Sequence, residues 1–193
     1  SFEFNGRDQQ VTDGPLPLWL SFDSSVALLR RQEPAYQTGN AVDREDAEPR
    51  VMSAFHFRGF HLVPSLTLHA TDYANGLVPG ESKLDTRRVF RKALEGDVEL
   101  ITPTLERIFP APKFLGKQIK HVIEPRVTYH YVTGVNNFNR ILRFDESDLL
   151  TNTNQVELSL TNRFFVKDKK GNVNELLNWE IKQDRYFDHT FSG

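Results

Sequence analysis

Between Ile119 and Val132 the chain reads Ile-Lys-His-Val-Ile-Glu-Pro-Arg-Val-Thr-Tyr-His-Tyr-Val, and its side chains alternate in character with period two. Ile119, His121, Ile123, Pro125, Val127, Tyr129 and Tyr131 share one mostly apolar face, while Lys120, Glu124, Arg126, Thr128 and His130 share the other. That periodicity predicts a strand. The stretch is longer than the roughly 5–6 residues usual for a globular strand, and its polar face carries charges of both signs. It fits a wall with water on one side and lipid or core on the other.

The same reading along the chain predicts further strands. From Leu16 to Arg30, Leu18, Leu20, Phe22, Val26 and Leu28 oppose Ser21, Asp23, Ser25 and Ala27, with Pro15 and Pro17 at the start, where a missing donor costs least. From Arg50 to Tyr73 a hairpin is expected. Val51, Phe55 and Phe57 line its first arm, and the apolar register changes parity at Arg58-Gly59, so that Phe60, Leu62, Pro64, Leu66, Leu68 and Ala70 line the second. Another strand covers Thr86 to Ile101, with Gly96 expected to mark a kink. Val156, Leu158, Leu160, Phe164 and Val166 alternate with Gln155, Glu157, Ser159, Thr161 and Arg163, and Leu177, Trp179 and Ile181 oppose Asn178, Glu180 and Lys182. The last strand ends in Tyr186-Phe187, an aromatic pair suited to a membrane interface.

Connections separate into short ones, Arg58-Gly59 and Asp168 to Asn172, and long ones, Arg31 to Glu48, Ala74 to Asp85 and Thr133 to Thr153. The acidic run Asp43 to Pro49 reads as exposed loop. Thr102 to Lys117, with Pro103, Pro110 and Pro112, also reads as a connection, and its length breaks the alternation. The expected fold is all-β, with seven or eight antiparallel up-and-down strands whose short and long connections have the asymmetry of an outer-membrane β-barrel, in one unit over residues 1–193 with no second domain.

Composition narrows the function. The 24 Lys and Arg nearly balance the 26 Asp and Glu, so no basic field argues for nucleic acid. Cysteine is absent, which removes disulfides and thiolate metal sites. No apolar run approaches the roughly 18 residues of a membrane helix, whereas a barrel strand needs only alternate apolar residues over about 9–11 positions. The start of the chain shows no basic region followed by an apolar stretch, and Phe2 and Phe4 already alternate with polar neighbours. An excerpt of a longer precursor is expected.

Candidate chemistry is sparse. Six histidines, His56, His61, His69, His121, His130 and His189, show no ligand spacing on one element, so no metal or cofactor is expected. Asp145, Glu146 and Asp148 lack the glycine and terminal Glu of a calcium loop and read as surface acidity. No nucleophile elbow, zinc-protease helix or phosphate-binding loop is present, so no catalytic residue is assigned. The candidate site is the polar face itself: Glu124, Arg126, Thr128, His130, Glu157, Arg163, Glu180 and Lys182, with Glu124 and Arg126 paired with each other or across strands.

Several segments resemble one family in the same order. His121-Val122-Ile123-Glu124-Pro125-Arg126-Val127-Thr128-Tyr129, Arg143 to Leu150 and Asn154 to Arg163 resemble the C-terminal half of the LptD family of lipopolysaccharide-assembly proteins, also called organic solvent tolerance proteins. Gly59 to Ser65 and Thr104 to Phe109 are similar to its preceding strands. The resemblance implies that these strands are a segment of a large outer-membrane β-barrel, non-enzymatic, that receives lipopolysaccharide from a periplasmic bridge and delivers it to the outer leaflet with a lipoprotein plug. It also implies that the family's periplasmic β-jellyroll, and the first and last barrel strands of its lateral exit, lie outside this stretch, which by itself is expected not to transport lipid. The competing reading is a soluble β-sandwich or small barrel that binds a glycan or lipid.

The two faces of the Ile119–Val132 stretch give a direct test. Val127→Arg places charge against lipid, at a cost of about 2–4 kcal/mol near the midplane, whereas Thr128→Arg stays in water. In the full-length protein, heat-modifiable barrel on a gel is expected to fall for Val127→Arg and to survive Thr128→Arg; equal tolerance would mean that the strand has been misread.

Overall fold

The computed structural model describes residues 1–30, 41–81, 83–112 and 114–188. Its strands are β1 (Phe2–Thr12), β2 (Leu18–Leu29), β3 (Val42–Ser53), β4 (Phe55–Phe57), β5 (Phe60–Tyr73), β6 (Gly76–Leu77), β7 (Leu84–Asp85), β8 (Val89–Ile101), β9 (Leu105–Pro110), β10 (Gln118–Thr133), β11 (Thr153–Lys167) and β12 (Val173–Tyr186). Helical structure among the described residues is limited to two 3-10 turns, Phe138–Arg140 and Glu146–Leu149.

One antiparallel sheet runs in the order β1-β2-β3-β5-β8-β10-β11-β12, with β4 paired to β5 and β9 paired to β10. Strand β4 continues β3 along the same neighbour, and β9 continues β8, so each pair acts as one interrupted span. Neighbours in the sheet therefore follow one another in sequence, which is an up-and-down meander. No second layer packs on the apolar face among the described residues, and β6 with β7 forms only a small separate hairpin. The sandwich reading has nothing to rest on.

Three expectations are corrected. The loop expected over Arg31 to Glu48 ends early, because β3 begins at Val42; residues 31–40 of it lie outside the described residues, as does His189. Its acidic run alternates like any strand. Val42, Arg44 and Asp46 turn inward and are buried, and Asp43 and Glu45 turn outward. The connection expected over Thr102 to Lys117 contains β9, whose Pro110 sits at the strand's last position, where no further ladder bond is needed. Pro103 falls in the break between β8 and β9, which is stitched to β10 by the Thr102 amide donating to the Pro125 carbonyl at 3.3 Å. The real turn is only Ala111 to Lys117, and the alternation of short and long connections is restored. Gly96 makes no kink in the pairing, since its register with Leu66 and Tyr131 is unbroken.

The parity switch at Arg58-Gly59 is a tight turn with positive φ at both residues, 48° and 84°. That is the geometry of a two-residue hairpin whose twist matches its strands.

The sheet separates its faces. Leu62, Leu66, Leu68, Leu94, Val98, Leu158, Trp179 and Ile181 remain exposed on one side, at 38–53%. Phe57, Phe60 and Phe109 bound this belt at the short-turn end, and Phe90, Tyr131 and Phe187 bound it at the long-loop end. From Ile119 to Tyr131 the strand advances twelve residues. At about 3.4 Å per residue and a tilt near 45°, that gives roughly 29 Å of height, close to the apolar band of an outer-membrane barrel. Burial is instead found on the polar side. There residues 134–152 fold back against the sheet, packing Ile141 on Tyr73 and Val89, and Val135 on Ala93 and Val132.

Two glycines test the turns. A Cβ on Gly116 would stand 2.4 Å from the Lys167 carbonyl oxygen, whereas one on Gly14 meets nothing within 4 Å; both have positive φ. Backbone strain is common to both, so Gly116→Ala is expected to cost about 1–3 kcal/mol more than Gly14→Ala. Denaturant unfolding of the detergent-solubilised protein checks the difference, and equal midpoints would place the Gly116 turn elsewhere.

Candidate functional site

The polar face is built by register. On β10, Arg126, Thr128 and His130 stand opposite Ile101, Glu99 and Asp97 of β8 and opposite Ser159, Glu157 and Gln155 of β11. Glu124 lies opposite Thr161, and Arg163 opposite Asn178. Across to β12, Glu157, Ser159 and Thr161 face Asp184, Lys182 and Glu180. All eight residues picked from the sequence therefore share one face of the sheet.

Their partners differ in part from the expectation. Arg126 does not pair with Glu124; its Nη1 reaches Glu99 Oε1 at 2.9 Å, on the neighbouring strand. His130 Nδ1 lies 2.5 Å from Asp97 Oδ1. Lys182 Nζ sits 3.6 Å from Glu157 and 3.9 Å from Glu180, and Arg163 Nη2 donates to Glu175 Oε2 at 2.7 Å. His130 and Asp97 are directly opposed, whereas Arg126 with Glu99 and Lys182 with Glu157 are diagonal cross-strand pairs, which long side chains can reach.

The most deeply buried part of this face is one that sequence reasoning placed in exposed loops. Arg44 on β3 is 6% exposed and Asp148 is fully buried. Arg44 Nη1 donates to Asp148 Oδ2 at 3.1 Å, and its Nη2 lies 2.8 Å from Asp145 Oδ2. Arg44 Nε is 2.8 Å from Asp46 Oδ2, close enough for charge attraction but off the direction of a hydrogen bond. The Tyr73 hydroxyl donates to the other Asp148 oxygen, and the Phe144 amide donates to Asp148 at 2.7 Å. Asp145 and Asp148 also cap the Glu146–Leu149 turn reciprocally, so one pair of carboxylates both shapes the loop and docks it. Of the three residues read as surface acidity, Glu146 is exposed, Asp148 is instead fully buried, and Asp145 is exposed but held by Arg44. That contact keeps the Asp145 carboxyl below its ordinary range, against the opposing effect of partial burial.

A second cluster crosses the middle of the face. His69 on β5 has Nδ1 3.3 Å from Glu48 of β3 and Nε2 2.7 Å from Glu95 of β8. Arg50 donates to Ser65 at 3.2 Å, and the buried Arg91 donates to Thr71 at 3.0 Å. Sequence reading missed Arg44, Glu48, His69, Glu95, Asp97 and Glu99. The signal was present in the parity of Val42, Arg44, Asp46 and Glu48, which a charge-rich composition disguised.

The apolar face handles its polar residues differently. His121, which falls among the outward apolar positions, stacks on Phe164 with ring centroids 4.1 Å apart and makes a 3.0 Å hydrogen bond with Asn162. Its Nε2 is thus satisfied locally.

An up-and-down antiparallel sheet with an aromatic-bounded apolar belt outside and a charge network inside is the wall of an outer-membrane β-barrel. The family model described as LptD, LPS transport system D, matches residues 1–191, and the chain belongs to that family. It is a family of outer-membrane proteins of the lipopolysaccharide transport machinery, which move lipid and are not enzymes. No curated protein matches the chain.

The docked loop gives a prediction. Asp148→Ala leaves Tyr73 and Arg44 without their shared acceptor, and breaking a buried charge pair costs about 3–5 kcal/mol. Limited proteolysis of the folded variant is expected to cut within residues 134–152 far faster than in the parent. Because the Asp145 carboxyl is depressed, its contact is complete at neutral pH and is lost only as the pH falls below the ordinary carboxylate value near ~4. Cleavage of the parent should therefore stay flat from pH 7 to about 5 and rise only in stronger acid. Equal protection in Asp148→Ala would show that the ion cluster does not hold the loop.

Proposed function

We propose that this sheet is one arc of a larger barrel wall, a single unit without a second domain, whose polar face lines the lumen through which lipopolysaccharide is handled. On this reading Glu124, Arg126, Thr128, His130, Glu157, Arg163, Glu180 and Lys182 face the lumen. A lipoprotein plug and the proteins of a periplasmic bridge are its partners, and the lipid's sugar and phosphate groups are what the polar wall meets.

One observation carries the reading: among the described residues the outermost strands β1 and β12 are each paired on one side only. Every described residue of β12 is exposed, including Trp179 and Ile181. An open, apolar edge of this length invites aggregation in water and is impossible in hydrocarbon, where each backbone amide and carbonyl needs a partner. Further strands on both sides satisfy those groups, and added strands widen the ring from a side-chain-filled barrel to one with a lumen.

The test is site-specific photo-crosslinking in cells that carry the full-length protein. A crosslinker at Glu157 or Lys182 is expected to capture the plug lipoprotein, and one at Leu158 or Ile181 is not. Equal capture of the lipoprotein from both faces, or its capture from the apolar face alone, would overturn the assignment of the lumen.

A further inference from the structure

Two of the short turns lie side by side. Ala111 to Lys117 leads into β10, Asp168 to Asn172 leads out of β11, and the Lys117 amide donates to the Lys167 carbonyl at 2.7 Å. On and around these turns the chain places Arg107, Lys117, Lys167, Lys169 and Lys170, all of them exposed. The carboxylates of the same segments are already engaged: Glu106 with Lys120, Glu175 with Arg163, and Asp168 with the backbone and side-chain amides of Asn172. Five cations therefore stand together without an ion pair to a carboxylate among the described residues. Like charges on neighbouring strands repel, so the fold gains nothing from this grouping.

An apolar group stands with them. Phe114, in the first of the two turns, is 85% exposed. Arg107 and Phe109 share the outward face of β9, opposite His121 and Ile119, and the Arg107 guanidinium lies over the Phe109 ring, 5.1 Å from its centroid. Phe109 belongs to the aromatic rim of the apolar belt, so the cations begin where the belt ends. Strands β10 and β11 are interior to the sheet, and this surface does not depend on what pairs with the open edges.

We propose that these two turns form a docking surface for the anionic headgroups of phospholipids, with the Phe114 ring inserted beside them at the membrane interface. The proposal rests on the reading of the sheet as a membrane wall, whose short turns face the periplasm. Aromatic rings at the end of an apolar belt settle at headgroup level. Lysines just beyond them lay their stems along apolar surface and hold their ammonium groups among the phosphates. A basic residue placed there favours an anionic surface about fivefold. An acidic protein partner would account for the charge, but not for its continuity with a lipid-facing belt.

The test uses the full-length protein, purified with its plug lipoprotein and reconstituted in vesicles of three parts phosphatidylethanolamine to one part phosphatidylglycerol, with lipopolysaccharide added in a second preparation. The photo-crosslinker p-benzoylphenylalanine is placed at position 114, and the captured molecules are identified by mass spectrometry. The ratio of phosphatidylglycerol to phosphatidylethanolamine in the adducts is expected to be about five times that of the vesicle. Combining Lys117→Gln, Lys167→Gln, Lys169→Gln and Lys170→Gln should return it to the bulk value, and so should high salt on the parent. Where the combined variant fails to assemble, the salt dependence of the parent decides. A crosslinker at position 158, in the belt, should capture both lipids at their bulk ratio. The bulk ratio at position 114 in the parent, or a raised ratio that survives both the substitutions and high salt, would overturn the docking surface alone. Capture of lipopolysaccharide, or in cells of a protein, in place of phospholipid would overturn it too, by assigning the turns to another partner. Absence of lipid at position 158 would overturn the membrane wall, and this surface with it.

Discussion

In hydrocarbon a backbone amide or carbonyl has no water to turn to, and this requirement governs the rest of the structure. It forces long, continuous ladders. Strand β10 pairs along its whole length, with β8 and β9 on one side and β11 on the other. Where the neighbouring span is interrupted at Thr102 to Thr104, the Thr102 amide still reaches the Pro125 carbonyl. Pro125 itself has no amide to offer, and it falls at that same interruption, where the partner strand is absent.

Strands committed to such ladders can sort side chains only by parity, so the two faces must differ completely. Outside, the belt carries leucine, valine and tryptophan at exposures that would be a liability in water. Inside, opposite charges are placed across strands: Arg126 to Glu99, Lys182 to Glu157, Arg163 to Glu175, and His69 between Glu48 and Glu95. Exposed pairs of this kind contribute little singly. Residues 134–152 pack elsewhere on this face, on the side chains of Tyr73, Val89, Ala93 and Val132 and on Arg44.

The alternation of β10, β11 and β12 was legible because apolar residues mark their outward faces without a gap. Strand β3 was not, because its inward positions are Arg44, Asp46 and Glu48 and its outward ones include Asp43 and Glu45, so hydropathy shows no period there. Charge replaces hydrophobicity as the buried component, and only the partners on β5 and in the loop reveal it. Strand β9 was hidden by prolines, each of which occupies a break or a strand end. The eight polar-face residues were found by parity alone. Arg44, His69, Glu95 and Asp97 escaped because their significance lies in pairings between distant segments, such as Arg44 with Asp148, which no local pattern encodes.

That last pairing also shows how the long connections differ from one another. The loop leaves β10 and returns on β11, yet its anchor, Arg44, belongs to β3, with β5 and β8 in between. To reach it the loop must lie across the polar face, and it does so over the buried side chains of Tyr73, Val89 and Ala93. Burying Asp148 there is tolerable only because the Tyr73 hydroxyl, the Arg44 guanidinium and the Phe144 amide all donate to it. The same three donors make the contact all-or-none, since losing one leaves a buried carboxylate short of partners. At the long-loop end of β3, β5 and β8 the polar face is therefore covered by a docked segment, whereas that of β12 stays exposed.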